Sequence, residues 1–201
     1  MTLTAEVAPT ASDTETSRLI SANLSLVRGE VAGTTAELDP GQLSRLAEEL
    51  RTASRVFVAG AGRSGLVLRM VAMRLMHLGL EVHIAGDTTT PAIRSGDVLL
   101  LASGSGTTSG VVRAAQTAAR AGARLAVYTA NPESPLAELA DVVVTIPAAQ
   151  KTDHGSSLSR QYAGSLFEQV LFLAAEAVFQ TLWDGDATPA EELWLRHANL
   201  E

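Results

Sequence analysis

The 201-residue sequence predicts a single α/β domain, a three-layer sandwich with a five-stranded parallel sheet at its centre. Two observations carry that expectation. The short apolar runs RVFVAG (55–60), DVLLLAS (97–103) and RLAVYTA (124–130) lack the in-out alternation of a half-solvated strand, so both of their faces must be covered. Segments with apolar residues three and four positions apart separate the runs, as crossover helices between parallel strands require.

Residues 1–12 show no periodic pattern and are expected to form a disordered tail, leaving one domain over 13–201. From Asp13 onward, Ile20, Leu24, Val27 and Val31 recur at helical spacing. DPGQ (39–42) then offers an Asp cap, Pro at the first helical position and Gln three residues after the cap, with Leu43, Leu46, Ala47 and Leu50 as the buried stripe. The strand at 55–60 is followed by a helix over 64–79, a strand at EVHIAG (81–86), the strand at 97–103, a helix over 108–121 and the strand at 124–130. DVVVTIP (141–147) closes the sheet. TPAE (188–191) repeats the capping-box pattern and starts a last helix that runs into WLRHANLE. Two helices, SGLVLRMVAMRLMHLG (64–79) and LFEQVLFLAAEAVF (166–179), are apolar nearly all the way round, which predicts burial on all sides and therefore a homo-oligomer.

Composition narrows the function. Hydrophobic residues make up 46% and aromatic ones 4%, so the core is aliphatic. A formal charge of −7 with no Lys/Arg cluster argues against a nucleic-acid partner, and it leaves any anionic substrate to be held by local donors. The absence of cysteine excludes disulfides, thiolate metal sites and cysteine nucleophiles. MTLTAEVAPTAS lacks the basic start and apolar centre of a signal peptide, and no apolar stretch is expected to span a bilayer, so a cytoplasmic protein with no membrane partner is expected.

Two glycine-rich loops follow strands. GAGRSG (60–65) matches G-x-G-x-x-G between a strand and a helix, with Asp87 at the distance where a ribose-binding acid would fall. A tight strand-to-helix turn with no ligand explains that loop equally well. The second loop, SGSGTT (103–108), has no place in a dinucleotide fold but suits a phosphomonoester. Backbone N–H groups at a helix N-terminus, with the hydroxyls of Ser103, Ser105, Thr107 and Thr108, can surround three oxygens. No Walker lysine follows, which argues against a nucleoside triphosphate.

VAGAGRSG and SGSGTT, with this strand order, resemble the sugar isomerase domain, a phosphosugar-binding family of flavodoxin-like folds. VAMRLMHLG, GDTTTPAI, TANPESPLAELAD, GSLFEQ and the terminal RHANLE are similar, in that order, to the 6-phospho-3-hexuloisomerases. The resemblance runs from about residue 15 to the C-terminus. It implies interconversion of D-arabino-hex-3-ulose 6-phosphate and D-fructose 6-phosphate, the second step of formaldehyde fixation in the ribulose monophosphate pathway. It also implies a metal-free tetramer with sites at subunit interfaces. Thr107 departs from the S-x-S-G-E-T form of many such domains and leaves the loop one negative charge lighter.

Moving a carbonyl between C3 and C2 needs a base for the C2 proton, an enediol and a proton transfer between two oxygens, with no redox cofactor. A carboxylate made less acidic by partial burial suits the base. The resemblance carries that role onto Glu168, whose helical neighbours Gly164 and Ser165 leave room for a ligand while Leu171 and Phe172 desolvate it. Of four histidines, His83 alternates into a strand and His154 falls in the polar loop QKTDHGSS. His197 is the preferred proton shuttle, on a C-terminal segment that could cross to a neighbouring subunit, with His77 in reserve. Gly62, Arg63, Ser64 and Asp87 join the loop hydroxyls as expected substrate contacts, with Arg63 available to the enediolate charge. The competing expectations are another phosphosugar isomerase, such as one acting on arabinose 5-phosphate, a non-catalytic sugar-phosphate sensor, and a dinucleotide-dependent oxidoreductase.

Overall fold

The computed structural model describes residues 11–149 and 159–200. Residues 1–10 and the loop carrying His154 lie outside the described residues. Five parallel strands, β1 (Val56–Gly60), β2 (Val82–Ile84), β3 (Val98–Ala102), β4 (Arg124–Thr129) and β5 (Val142–Thr145), form one sheet in the order β2-β1-β3-β4-β5. The helices are α1 (Ala11–Ala36), α2 (Pro40–Thr52), α3 (Gly62–Leu78), α4 (Ser109–Arg120), α5 (Pro135–Glu138), α6 (Ser165–Asp186) and α7 (Ala190–Trp194).

Strand residues alternate between two cores. Val56, Val58, Val98, Leu100, Ala126, Tyr128 and Val144 face α2, α3 and α6. Phe57, Leu99, Leu101, Leu125 and Val127 face α4 and α5. Both faces are therefore apolar, as the unalternating runs predict. At the amino edge the buried Asp97 carboxylate accepts from Arg55 Nη2 at 2.6 Å and Nε at 3.1 Å and from the Arg94 N–H at 2.8 Å, clamping the starts of β1 and β3.

Several local expectations are corrected. Asp39 caps α2 through the Gly41 N–H at 2.7 Å, but Gln42 does not complete the box. Its Oε1 accepts the Thr145 N–H at 2.7 Å and so ties α2 to β5. Thr188 does not cap α7; it donates to the Asp186 carboxylate, and the N-cap position falls to Pro189. The helical pattern begins at Ala11, two residues before the expected boundary, and α5 lies in a stretch where no helix is expected.

α6 also overturns the expectation about apolar length. It is long and apolar enough to cross a membrane, yet 56% of that stretch is buried in the fold, where Val170, Leu171, Ala174 and Val178 pack into the core. α3 and α6 are not fully enclosed by their own chain. Leu66, Met70 and Met73 on α3 are 62%, 46% and 47% exposed, and Leu173 on α6 is 43% exposed. Much of α1 also stands clear, with Leu19, Ile20 and Leu24 more than half exposed.

Candidate active site

β1 and β3 are neighbours whose chains leave in opposite directions, β1 toward β2 and β3 toward β4. This is the switch point of an open α/β sheet, and ligands bind there beyond the carboxyl ends of the strands. A cleft of about 260 Å³ occupies it, lined by Gly62 and Ser64 from the first loop, Ser103, Ser105, Thr107 and Thr108 from the second, and Gly164 and Phe167 from the start of α6.

The glycines of the first loop answer a packing demand. A Cβ on Gly65 would stand 2.5 Å from the Gly60 carbonyl oxygen, so only glycine lets α3 press against the end of β1. The G-x-G-x-x-G pattern is thus accounted for without a nucleotide.

The second loop is braced from inside. Gly106 N–H donates to the Ser103 carbonyl at 3.1 Å and to Ser103 Oγ at 3.2 Å, and Ser103 Oγ lies 3.0 Å from Thr108 Oγ1. Thr107 Oγ1 donates to Ser105 Oγ at 3.0 Å. The stretch after β4 supports the loop from the side: Ala130 N–H donates to the Gly104 carbonyl at 3.0 Å and Leu136 N–H to that of Gly106 at 3.1 Å. Gly106 has φ +66°, and a Cβ there would fall 1.9 Å from Ser134 Oγ. Some of the predicted hydroxyls therefore hold the loop's shape as well as facing the cleft.

The helix ends at the cleft share one property. α3, α4 and α6 begin at Ala61, Thr108 and Gly164, and none of these N-caps makes a side-chain capping hydrogen bond. α2 and α5, whose first turns do not line the cleft, are capped by Asp39 and Ser134, whereas α7 starts at Pro189 with no side-chain cap. Three uncapped N-termini converging on one cleft give it backbone donors and positive dipole ends, which suit it to an anion although the protein is acidic overall.

Glu168, in the first turn of α6, is 3% exposed and ion-paired through Oε2 with Arg63 Nε. Its backbone N–H donates to the Gly164 carbonyl at 3.2 Å. Ser64 is buried and lines the cleft wall at the start of α3. Phe167 packs over Gly104, where a Cβ would come within 3.5 Å of its ring. Sequence reasoning missed Phe167 as a wall residue, although it sits inside the quoted GSLFEQ.

The structure brings Gly62, Arg63, Ser64, Ser103, Ser105, Thr107, Thr108 and Glu168 together. It does not bring Asp87, which pairs with Arg69 Nη2 at 2.8 Å on the flank of α3, where the 87–90 stretch forms a turn. Nor does it bring His77 and His197 of the same chain. His77 ends α3, fourteen residues after Arg63, or about 21 Å along the helix axis. There it meets His197, with ring centroids 5.1 Å apart, while His197 stacks on Trp194 at 4.7 Å. Arg196 Nη1 donates to the His77 carbonyl at 2.8 Å, fixing the C-terminal segment to its own α3. Burial holds His77 below the ordinary histidine value, and the charges of His197 and Arg74 push the same way. His83 packs against Phe57 at 5.0 Å, as its place in a strand suggests.

Fold and cleft together define an open α/β protein with a switch-point cleft suited to an anion and a buried carboxylate in the first turn of α6. The SIS domain model matches residues 49–173, and the chain belongs to the SIS domain family. It is 72% identical over 182 residues to the 3-hexulose-6-phosphate isomerase of Mycobacterium gastri, covering 90% of this chain and 92% of that one. The Bacillus subtilis 3-hexulose-6-phosphate isomerase is 36% identical, with 87% and 95% covered. Among solved structures, a Methanococcus jannaschii protein whose structure infers the function of a 3-hexulose-6-phosphate isomerase superposes with a TM-score of 0.77 at 27% identity, covering 90% of this chain and 99% of that one.

Proposed function

We propose that this protein is an isomerase interconverting D-arabino-hex-3-ulose 6-phosphate and D-fructose 6-phosphate in the cytoplasm, where phosphorylated sugars are retained, as the second step of formaldehyde fixation. The observation that carries the reading is a buried carboxylate, Glu168, paired with Arg63 beside a cleft where three uncapped helix N-termini meet. The high identity to named 3-hexulose-6-phosphate isomerases supports this substrate over other phosphosugars.

The phosphate occupies the α4 end, against Ser105, Thr108 and the first N–H groups of α4. The sugar extends along Gly62 and Ser64 toward Glu168. O6 carries the phosphate, and O5 could close only a four-membered ring onto C3, so the hexulose enters open-chain. Glu168 takes the proton from C2, and the electrons of that C–H bond form the C2–C3 double bond of an enediolate with charge on O3. A proton passes from O2 to O3, and Glu168 returns its proton to C3, leaving the carbonyl at C2. Proton transfer leaves the carboxyl neutral and frees the Arg63 guanidinium to face the enediolate.

The shuttle between O2 and O3 falls to the His77–His197 pair of a neighbouring subunit. Within one chain the pair is remote from the cleft, while the exposed Met73 and Trp194 beside it mark a face open to a partner. A homotetramer that buries the α3 row of Leu66, Met70 and Met73 supplies that neighbour. The test is turnover of enzymatically generated hex-3-ulose 6-phosphate by wild type and Glu168→Gln. Turnover that is lost in the variant while phosphosugar still raises its Tm supports both the reaction and the base. An inactive wild type overturns the reading.

A further inference from the structure

Glu30, near the end of α1, accepts three hydrogen bonds from residues far along the chain. Its Oε2 receives Ser159 Oγ at 2.7 Å and Gln161 Nε2 at 3.0 Å, and its Oε1 receives the Arg160 N–H at 2.8 Å. The contact continues inward, because Gln161 Oε1 accepts from Gln169 Nε2 at 2.9 Å, one residue beyond the base. Burial opposes the charge on Glu30. The Arg160 N–H, the Ser159 and Gln161 donors and the Arg160 charge outweigh it and hold the carboxyl below its ordinary value.

The segment that Glu30 grips leads directly into the site. Ala163 has φ +49°, a left-handed conformation that a residue with a Cβ keeps only where its surroundings impose it. Gly164 follows as the uncapped start of α6, and its carbonyl receives the Glu168 N–H. Leu166, Phe167 and Val170 hold the apolar side of α6 in the core from its first turn. The polar edge of that turn, where Glu168 meets Arg63, follows directly from the course of the chain through residues 159–164.

We propose that Glu30 is a positioning residue for Glu168: by gripping residues 159–161 it imposes the turn from which α6 starts and so fixes the base against the cleft. This rests on Glu168 being the base of the isomerase. Among the described residues Glu30 makes no hydrogen bond to a residue that lines the cleft and acts through Ser159, Arg160 and Gln161. A misplacement of about 1 Å in a catalytic group is enough for a loss of roughly a hundredfold.

The test compares Glu30→Ala, Glu30→Gln, Gln161→Ala and the double variant Glu30→Ala/Gln161→Ala. Expected is a kcat about tenfold or more lower in Glu30→Ala, with KM for hex-3-ulose 6-phosphate within about twofold, because the phosphate loop hangs on β3 and α4. Glu30→Gln should not restore it, since its amide NH2 would confront the donors that the carboxylate accepts. The double variant should fall no lower than Glu30→Ala, as both changes cut one chain of contacts. In parallel, the ligand-free amides of Ser165 and Glu168 should exchange faster in Glu30→Ala and Gln161→Ala, while those of Val111 and Val112 in α4 stay unchanged.

Unchanged kcat and unchanged exchange at Ser165 and Glu168, independent multiplication of the two single losses, or full rescue by Gln would each overturn the proposal. Gln161→Ala leaves α1 untouched, so it answers the question even if Glu30→Ala loosens that helix. The exchange readout needs no substrate. An inactive wild type would therefore sink the isomerase reading without touching it.

Discussion

Arg63 and Glu168 join the first turn of α3 to the first turn of α6, so the cation and the carboxylate of the cleft are held as one ion pair by two helix N-termini. The pair makes the carboxylate's loss of charge and the guanidinium's availability a single event. Replacing Arg63 by Ala should lower kcat by about 10²–10³ with a much smaller change in KM. Lys should restore little of it, because the planar fork is lost. Steady-state kinetics of the two variants decide this, and a pure KM effect would assign Arg63 to binding instead.

Glu168→Gln keeps the shape of the side chain and removes its basicity. The expected loss is about 10²–10⁴ in kcat, in both directions of the reaction, because one group both takes and returns the proton. Substrate-derived deuterium at C2 should appear in part at C3 with the wild-type enzyme, and its complete washout into solvent would argue against a single base.

Gly106→Ala should damage the phosphate loop specifically. The left-handed backbone and the collision with Ser134 Oγ together cost about 1–3 kcal/mol or more. The variant's Tm should fall, and inorganic phosphate should no longer raise it. Retained protection by phosphate would place the anion elsewhere.

If the histidine pair serves a neighbour's cleft, Glu168→Gln and His197→Ala chains, each inactive alone, should regain activity when co-assembled. Random mixing completes about a quarter of the clefts, those formed by an intact Glu168 and a neighbour's intact His197. No recovery in verified mixed oligomers would confine each site to one chain or remove His197 from the reaction.

Acid should weaken the fold through Asp97. Burial works against its charge, but Arg55 and the Arg94 N–H hold the carboxyl below its ordinary value. Above the unfolded value of about 3.9 the folded chain keeps this advantage in full. As the pH falls through the lower native value, the unfolded chain already holds the proton and the advantage is lost. Tm measured from pH 7 to pH 3 should therefore drop more steeply in wild type than in Asp97→Asn, which should begin several degrees lower at neutral pH.

The succession of strands along the chain, the helices between them and the two loops are legible in the sequence because each rests on local signals: apolar run length, helical spacing, and glycine with hydroxyl residues at strand ends. What the sequence conceals is the destination of polar side chains. Gln42 has the spacing of a capping-box partner but reaches β5, and Asp87 has the spacing of a ribose acid but meets Arg69. His77 and His197, 120 positions apart, meet only because α7 folds the C-terminus back along α3. Glu30 carries no motif at all. Its role emerges only when α1 and the residues before α6 are placed side by side.

The converging helix ends give the protein a divided electrostatic character. At long range a net charge of −7 repels anions, while within the cleft the dipoles and N–H groups attract them over a few ångströms. Capture of a phosphosugar is thus not steered from a distance. Added salt should quicken association by screening the repulsion until it begins to compete for the cleft. A polyanion too large to enter the cleft would meet the net negative charge of the chain, whereas a compact phosphomonoester small enough to reach the helix ends would escape it. The discrimination resides in peptide groups that have no side chain to titrate, so it should change with the ionisation of the ligand rather than that of the protein.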